Sequence, residues 1–111
     1  MQYQVYHKAF EDKATHVANV NLADDMPVKQ ALEVVFRKTN NVEGSWSKGP
    51  TFTHDGVEYE NMDYSEEVEL VKPLMVDKQG KEWGHRSTSC GDYVIVNGDK
   101  YLCAMVGWEK M

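Results

Sequence analysis

Two short β-rich runs, Tyr93 to Val96 and Tyr101 to Val106, stand on either side of Asn97-Gly98-Asp99-Lys100. No other stretch of this chain narrows the choice of fold as much. Gly98 takes positive φ without steric cost, so the four residues predict a tight turn and the flanking runs a β-hairpin. With Gly98 and Asp99 as the central turn residues, Val96 faces Tyr101 and Val94 faces Cys103 on one side, while Ile95 faces Leu102 and Tyr93 faces Ala104 on the other. Both sides are apolar. Such a strand pair belongs near the middle of a small sheet, under a helix on one face and under loops or a bent sheet on the other.

The rest of the chain supplies those partners. Gln2 to His7 alternates Tyr3, Val5 and His7 against Gln2, Gln4 and Tyr6, which predicts a first strand. After the polar turn around Glu11-Asp12-Lys13, Thr15 to Leu22 reads as a second strand antiparallel to the first, with His7 facing His16 across the pair. Asp24-Asp25-Met26-Pro27 then predicts a helix start, with Asp25 as the N-cap and proline in the first turn. Val28, Ala31, Leu32, Val35 and Phe36 recur at helical spacing, while Lys29, Gln30, Glu33 and Arg37 fall on the opposite side. The helix is expected over Pro27 to Lys38, ending at Thr39-Asn40-Asn41. Val42 to Thr53 reads as irregular chain around Trp46. Val57 and Tyr59 alternate with acids as in a short strand, and Val68 to Met75 reads as another that Pro73 confines to an edge. The expected architecture is α+β: a twisted antiparallel sheet of about five strands with one helix packed on one face, in a single domain over residues 1–111.

Charge is distributed unevenly. There are 12 basic and 18 acidic residues, a net of −6. Seven of the acids, Asp55, Glu58, Glu60, Asp63, Glu66, Glu67 and Glu69, fall within fifteen positions that hold no Lys or Arg. The remaining residues carry 12 basic and 11 acidic charges, a net of +1, so the acidity of the chain resides in that segment. An overall acidic balance argues against non-specific attraction to phosphate backbones or anionic lipid. The longest apolar runs fall well short of the roughly 18 residues of a membrane span, and the polar Met-Gln-Tyr-Gln start lacks a signal-peptide layout, so an intracellular protein is expected.

The string Arg86-Ser87-Thr88-Ser89-Cys90-Gly91-Asp92, followed by Val94, Gly98, Tyr101, Gly107 and Trp108, resembles the Arg-Ser-x-Ser-x-Gly-Asp-x-Val pattern of the small YodL-like domains of phages, plasmids and mobile elements, whose usual pattern has Val where Cys90 stands. Thr39 to Trp46 resembles a segment of short phage proteins that end in the same hairpin. The likeness covers the C-terminal quarter well and the middle weakly. It implies a phage or mobile-element origin and, through the anti-restriction label carried by part of the family, a role inside the cytoplasm of a bacterial host. Read physically, the motif is structural: Ser87 and Ser89 can bond nearby amides, Gly91-Asp92 turns the chain into the hairpin, and Arg86 has Asp92 and backbone carbonyls within reach.

Enzymatic constellations find little support. His85, Arg86 and Cys90 prompt the thought of a nucleophilic cysteine but lack a partnered acid and any protease-like signature. His54, His85, Cys90 and Cys103 lack metal-ligand spacing, so neither metal nor cofactor is expected. Cys90 falls beyond the partner rungs of Cys103 in the hairpin, which predicts two free thiols, Cys103 in the core and Cys90 more exposed. Two binding readings from different classes remain. In the first, a non-enzymatic protein occupies a host protein, itself DNA-binding in one version, through an acidic and aromatic surface made of Trp46, Glu58, Tyr59, Glu60, Asp63, Tyr64, Glu66 and Glu67. For Trp46 the leading reading is an anchor over the core edge, and the acids read equally as a solubilising face. In the alternative, Lys78, Lys81, His85, Arg86 and Lys100 beside Trp83 and Tyr101 form a basic and aromatic platform for nucleic acid.

Overall fold

A computed structural model describes all 111 residues. In chain order the elements are β1 (Gln2–His7), β2 (Thr15–Asn21), α1 (Val28–Lys38), β3 (Thr51–His54), β4 (Val57–Glu60), β5 (Val68–Leu70), β6 (Met75–Val76), β7 (Glu82–Trp83), β8 (Tyr93–Val96), β9 (Asp99–Cys103) and β10 (Trp108–Lys110). The fold is α+β. Six strands form one antiparallel sheet in the order β10-β9-β8-β1-β2-β5, and β3-β4 and β6-β7 are separate two-stranded hairpins. The sheet thus has one strand more than expected; the edge strand expected over Val68 to Met75 is only Val68–Leu70, because the chain leaves the sheet before Pro73 and Met75 begins the separate β6.

The alternation of β1 decides which face is covered. Tyr3, Val5 and His7 are buried, and Val5 pairs with Ala18 on one side and Val94 on the other. This face packs against Ala31, Leu32 and Val35 of α1, and with Val20, Val96 and Trp46 these residues make the core. Fully burying a branched apolar side chain contributes about 1.5–3 kcal/mol, so the helix stripe is the main force holding α1 to the sheet. On the uncovered face, Tyr6 stacks between His16 and Tyr93 at 4.7 and 4.9 Å between ring centres, and the Lys100 ammonium sits 4.0 Å over Tyr93. A row of rings rather than a second layer protects that side.

Four local expectations are corrected. The β8-β9 turn is centred on Asn97 and Gly98, at φ 52° and 79°, so Val94 pairs with Tyr101 and Ile95 with Lys100, two residues away from the expected register. Asparagine tolerates the left-handed region, and two positive-φ residues give the turn that matches strand twist. A shift of two keeps each side chain on its expected face. Second, an irregularity after Val5 leaves Val17 as an extra residue, so Tyr6 rather than His7 faces His16. That bulge lets Val17, Ala18 and Val20 all reach the core. Third, the N-cap position is Pro27 with no side-chain cap, and Asp24, not Asp25, is engaged, by the amino terminus of Met1. Last, Thr51 to His54 is a strand, not irregular chain.

Candidate functional site

Between the hairpins and the sheet lies a buried polar framework. Asp92 is fully buried. Its Oδ1 accepts from the backbone N–H of Lys8 (2.7 Å) and Ala9 (2.9 Å), its Oδ2 from Ser89 N–H (2.8 Å), and both oxygens accept from Arg86 (2.8 and 2.7 Å). Arg86 also donates to both oxygens of Glu11 (3.1 and 2.8 Å) and to the Ser87 carbonyl (2.9 Å). Burial works against the charge of Asp92, but the hydrogen bonds from Arg86 and the three amides overcome it and hold the carboxyl at about 2. Beside it, the His7 Nε2 lies 3.1 Å from Thr88 Oγ1, whose hydroxyl donates to Thr39 Oγ1 (2.8 Å), which in turn donates to the Val35 carbonyl (2.9 Å). With the Thr88 proton committed to Thr39, His7 is the donor, which fixes the Nε2–H tautomer. Burial drives His7 down to about 4, against the raising pull of Asp92.

A second framework holds the loop after α1. Asn61, nearly buried, accepts from Ser45 N–H (3.0 Å) and donates to the carbonyls of Ser45 (2.7 Å) and Gly49 (2.8 Å). Asp63 gathers the amides of Val42 (2.7 Å), Glu43 (3.1 Å) and Gly44 (2.8 Å). Trp46 is 2% exposed, and its indole N–H donates to the Arg86 carbonyl (2.8 Å). Two of the eight residues read as a binding surface, Trp46 and Asp63, are therefore occupied in holding the loop. The Trp46 ring is closed to a partner, and Asp63 is half-buried with its carboxylate committed to three amides.

Of the other six, Glu58, Tyr59 and Glu60 lie on a projecting arm, while Tyr64, Glu66 and Glu67 lie between it and β5, where the Glu67 carbonyl accepts from Asn21 N–H (2.8 Å). The β3-β4 hairpin turns at Asp55 and Gly56, both at positive φ, and pairs Thr51 with Glu60, Phe52 with Tyr59 and Thr53 with Glu58. All four β4 residues are exposed, and none of the arm belongs to the core. Phe52 and Tyr59 stack at 5.8 Å. At its base, Asn61 N–H donates to the Pro50 carbonyl (2.8 Å), so the two ends of the arm leave the body side by side. Val57, Tyr59, Met62 and Tyr64 are 41–61% exposed, an apolar and aromatic patch on a segment that also carries Glu58, Glu60 and Glu66. Three of the remaining acids have side-chain partners. Glu67 pairs with Lys38 (3.0 Å), Glu69 accepts from Asn19 (3.1 Å) and Asp55 lies 3.4 Å from His54. Glu58, Glu60 and Glu66 have no ion-pair partner.

The β6-β7 hairpin is a second, smaller arm. Trp83, 53% exposed, donates to Asp77 (3.2 Å) under the Lys81 ammonium, and Met75 and Val76 are exposed beside it. A polar cleft of about 590 Å³ separates its tip from the β3 side of the first arm, lined by Lys48, Thr51, Thr53, His54 and Lys81, which puts β4 on the outside. The basic and aromatic set assembles only in part: Lys78, Lys81 and Trp83 share the β6-β7 hairpin. Arg86 is saturated by carboxylates, His85 donates to the Lys72 carbonyl (2.8 Å), Tyr101 packs against the core, and Lys100 sits on the far hairpin. The ring faces of Tyr6 and Tyr93 on the open sheet are covered by their neighbours and so are unavailable to stack bases.

No helix is long and apolar enough to cross a membrane. No group of three or more His, Cys, Asp or Glu has metal-ligating geometry. Sequence reasoning missed Asn61, His7, Thr88 and the strand Thr51–His54. Only the last had a local signal, the Asp55-Gly56 pair that favours a two-residue hairpin turn. Comparison of the chain with known protein families, with characterised proteins and with solved structures finds no match.

Proposed function

We propose that this chain is a non-enzymatic protein-binding domain whose β3-β4 arm engages a partner with a basic face. The observation that carries the reading is the arm itself: a two-stranded hairpin whose β4 residues are all exposed, with no core residue and with unpaired Glu58 and Glu60 beside Tyr59. Isolated hairpins are marginally stable in water, so a hairpin that adds nothing to the core calls for another use. An exposed aromatic flanked by acids is a usual recognition mix, the ring supplying contact area and the acids supplying steering. Alternate residues of a strand lie roughly 6.6 Å apart, about two base steps of rise along one DNA strand. Glu58 and Glu60 thus offer charge at a spacing that a phosphate-reading protein accommodates.

The partner class follows from that spacing together with the YodL-like resemblance of Arg86 to Asp92: a DNA-binding protein of a bacterial host, in an anti-restriction or related anti-defence role in the host cytoplasm. Direct nucleic-acid binding has less behind it, because its residues are scattered or already paired. Affinity capture from bacterial extract with the intact chain and with Glu58→Gln/Tyr59→Ala/Glu60→Gln separates the readings. The expected result is a discrete protein retained by the intact chain, released by duplex DNA, and lost in the triple variant while the circular dichroism spectrum is unchanged. Retention of the same protein by the variant would rule out the arm. Salt-sensitive binding of the purified chain to duplex DNA would favour the nucleic-acid reading.

A further inference from the structure

The hairpin framework brings together the two cysteines that the sequence separates. Asp92 N–H donates to the Ser89 carbonyl (3.0 Å), closing a four-residue turn with Cys90 second and Gly91 third at φ 97°. Gly91 N–H then donates to the Cys103 carbonyl (2.9 Å), while Cys103 N–H donates to the Asp92 carbonyl (2.8 Å). Two residues, Gly91 and Asp92, thus oppose the single residue Cys103, a β-bulge with glycine at its first position. The extra residue draws the chain back, so Cys90 adjoins the residue bonded to Cys103 instead of running past it. Both cysteines line one small cavity of about 220 Å³, with Phe36, Ala104 and Trp108 as its apolar walls and Glu33 at its edge. Cys90 is exposed and Cys103 is 5% exposed, and both thiols are free. Burial, and after it the adjacent Cys90 thiol, pushes the Cys103 thiol up to about 12.

We propose that Cys90 and Cys103 are a redox-responsive dithiol site, with Cys90 the entry thiol and Cys103 the resolving thiol, oxidised by a low-molecular-weight disulfide such as glutathione disulfide. The exposed Cys90 thiolate attacks one sulfur of the small disulfide, forming a mixed disulfide and expelling one small thiolate. Cys103, once deprotonated, attacks the Cys90 sulfur and expels the second. Two protein thiols lose two electrons and two protons to one small disulfide, which becomes two small thiols. The bridge pins the Ser89–Asp92 turn to β9 and so tightens the anchor of the Asp92 network. Cys103 is 5% exposed while Cys90 is exposed, so a small disulfide meets Cys90 first and the order of attack follows from the fold.

The test is intact-mass spectrometry, after alkylation, of the full chain equilibrated in glutathione buffers of increasing oxidising strength. The expected product is a monomer two hydrogens lighter with neither cysteine alkylated, restored to two free thiols by reductant. The Cys103→Ser variant should stop at a single glutathione adduct on Cys90, and Cys90→Ser should remain unmodified. A wild-type chain that stops at the glutathione adduct would show that Cys103 does not reach Cys90. One that keeps two free thiols at the most oxidising ratio, or that cross-links between chains through Cys90, would equally overturn the proposal. The wild-type readout stands even if either variant fails to fold.

Discussion

Asp92 is where distant parts of the chain meet. Its carboxylate joins the end of β1 to the turn before β8, and Arg86 extends the junction to Glu11. Arg86→Ala leaves that buried charge with amides alone, and urea unfolding should register a loss of about 3 kcal/mol, the low end for a broken buried pair because Arg86 is partly exposed. A loss within experimental error would mean that the amides suffice. His7 gives the same region a pH dependence. Between its unfolded value of 6.5 and about 4, the unfolded chain binds a proton that the folded chain does not, so stability falls as pH falls through that window, by on the order of 3 kcal/mol. Asp92 has a depressed value, so its contribution is present above 3.8 and is lost as pH falls toward about 2. Unfolding midpoints should therefore decline in two legs, and His7→Gln, which keeps a donor for Thr88, should flatten the first and leave the second. The Arg86–Asp92 pair was legible because six positions separate the partners. Glu11 and Thr88 were not, since a contact across 75 or 81 positions leaves no local trace.

At the level of elements, local chemistry carried the reading where it was self-contained. The stripe from Val28 to Phe36 yielded α1 within one residue of its start, and alternation yielded the buried face of β1. The β8-β9 register slipped because Asn97 was not recognised as a left-handed residue, and the bulge at Val17 was unreadable because it answers to α1 packing. Gly91 and Gly98 test how far turns depend on surroundings. Both have positive φ, but a Cβ at Gly98 meets open space while one at Gly91 falls 3.1 Å from the Ala9 Cβ and 3.3 Å from its Cα. Gly98→Ala should cost about 1 kcal/mol, and Gly91→Ala clearly more in the same denaturation assay; the reverse order would contradict the close approach of Ala9, just past β1, to the bulge. The arm is the opposite case, an element outside the core. The Pro50 carbonyl and Asn61 N–H are already bonded, so replacing residues 51–60 with Asn-Gly should shift the melting temperature by less than roughly 5 °C.

For the molecule as a whole, the chain divides into a body that holds the core and an arm that holds none of it. Asp63, Glu67 and Glu69 work for the fold, and Glu58, Glu60 and Glu66 remain as free acids. The sequence showed the acidic concentration, but it did not show which members the body consumes, because their partners Lys38, Asn19 and the amides of residues 42–44 lie outside the segment. Neutralising only Glu58, Glu60 and Glu66 with Gln should leave the melting temperature unchanged, whereas Asp63→Asn should lower it, a contrast that one set of thermal melts decides. The most direct check of body against arm is affinity capture from bacterial extract by the chain lacking residues 51–60, run beside the intact chain with the melts of both recorded. The expected result is a cooperative melt close to that of the intact chain together with loss of the protein that the intact chain retains. Capture undiminished in the absence of the arm, or a chain that no longer melts cooperatively, would contradict it.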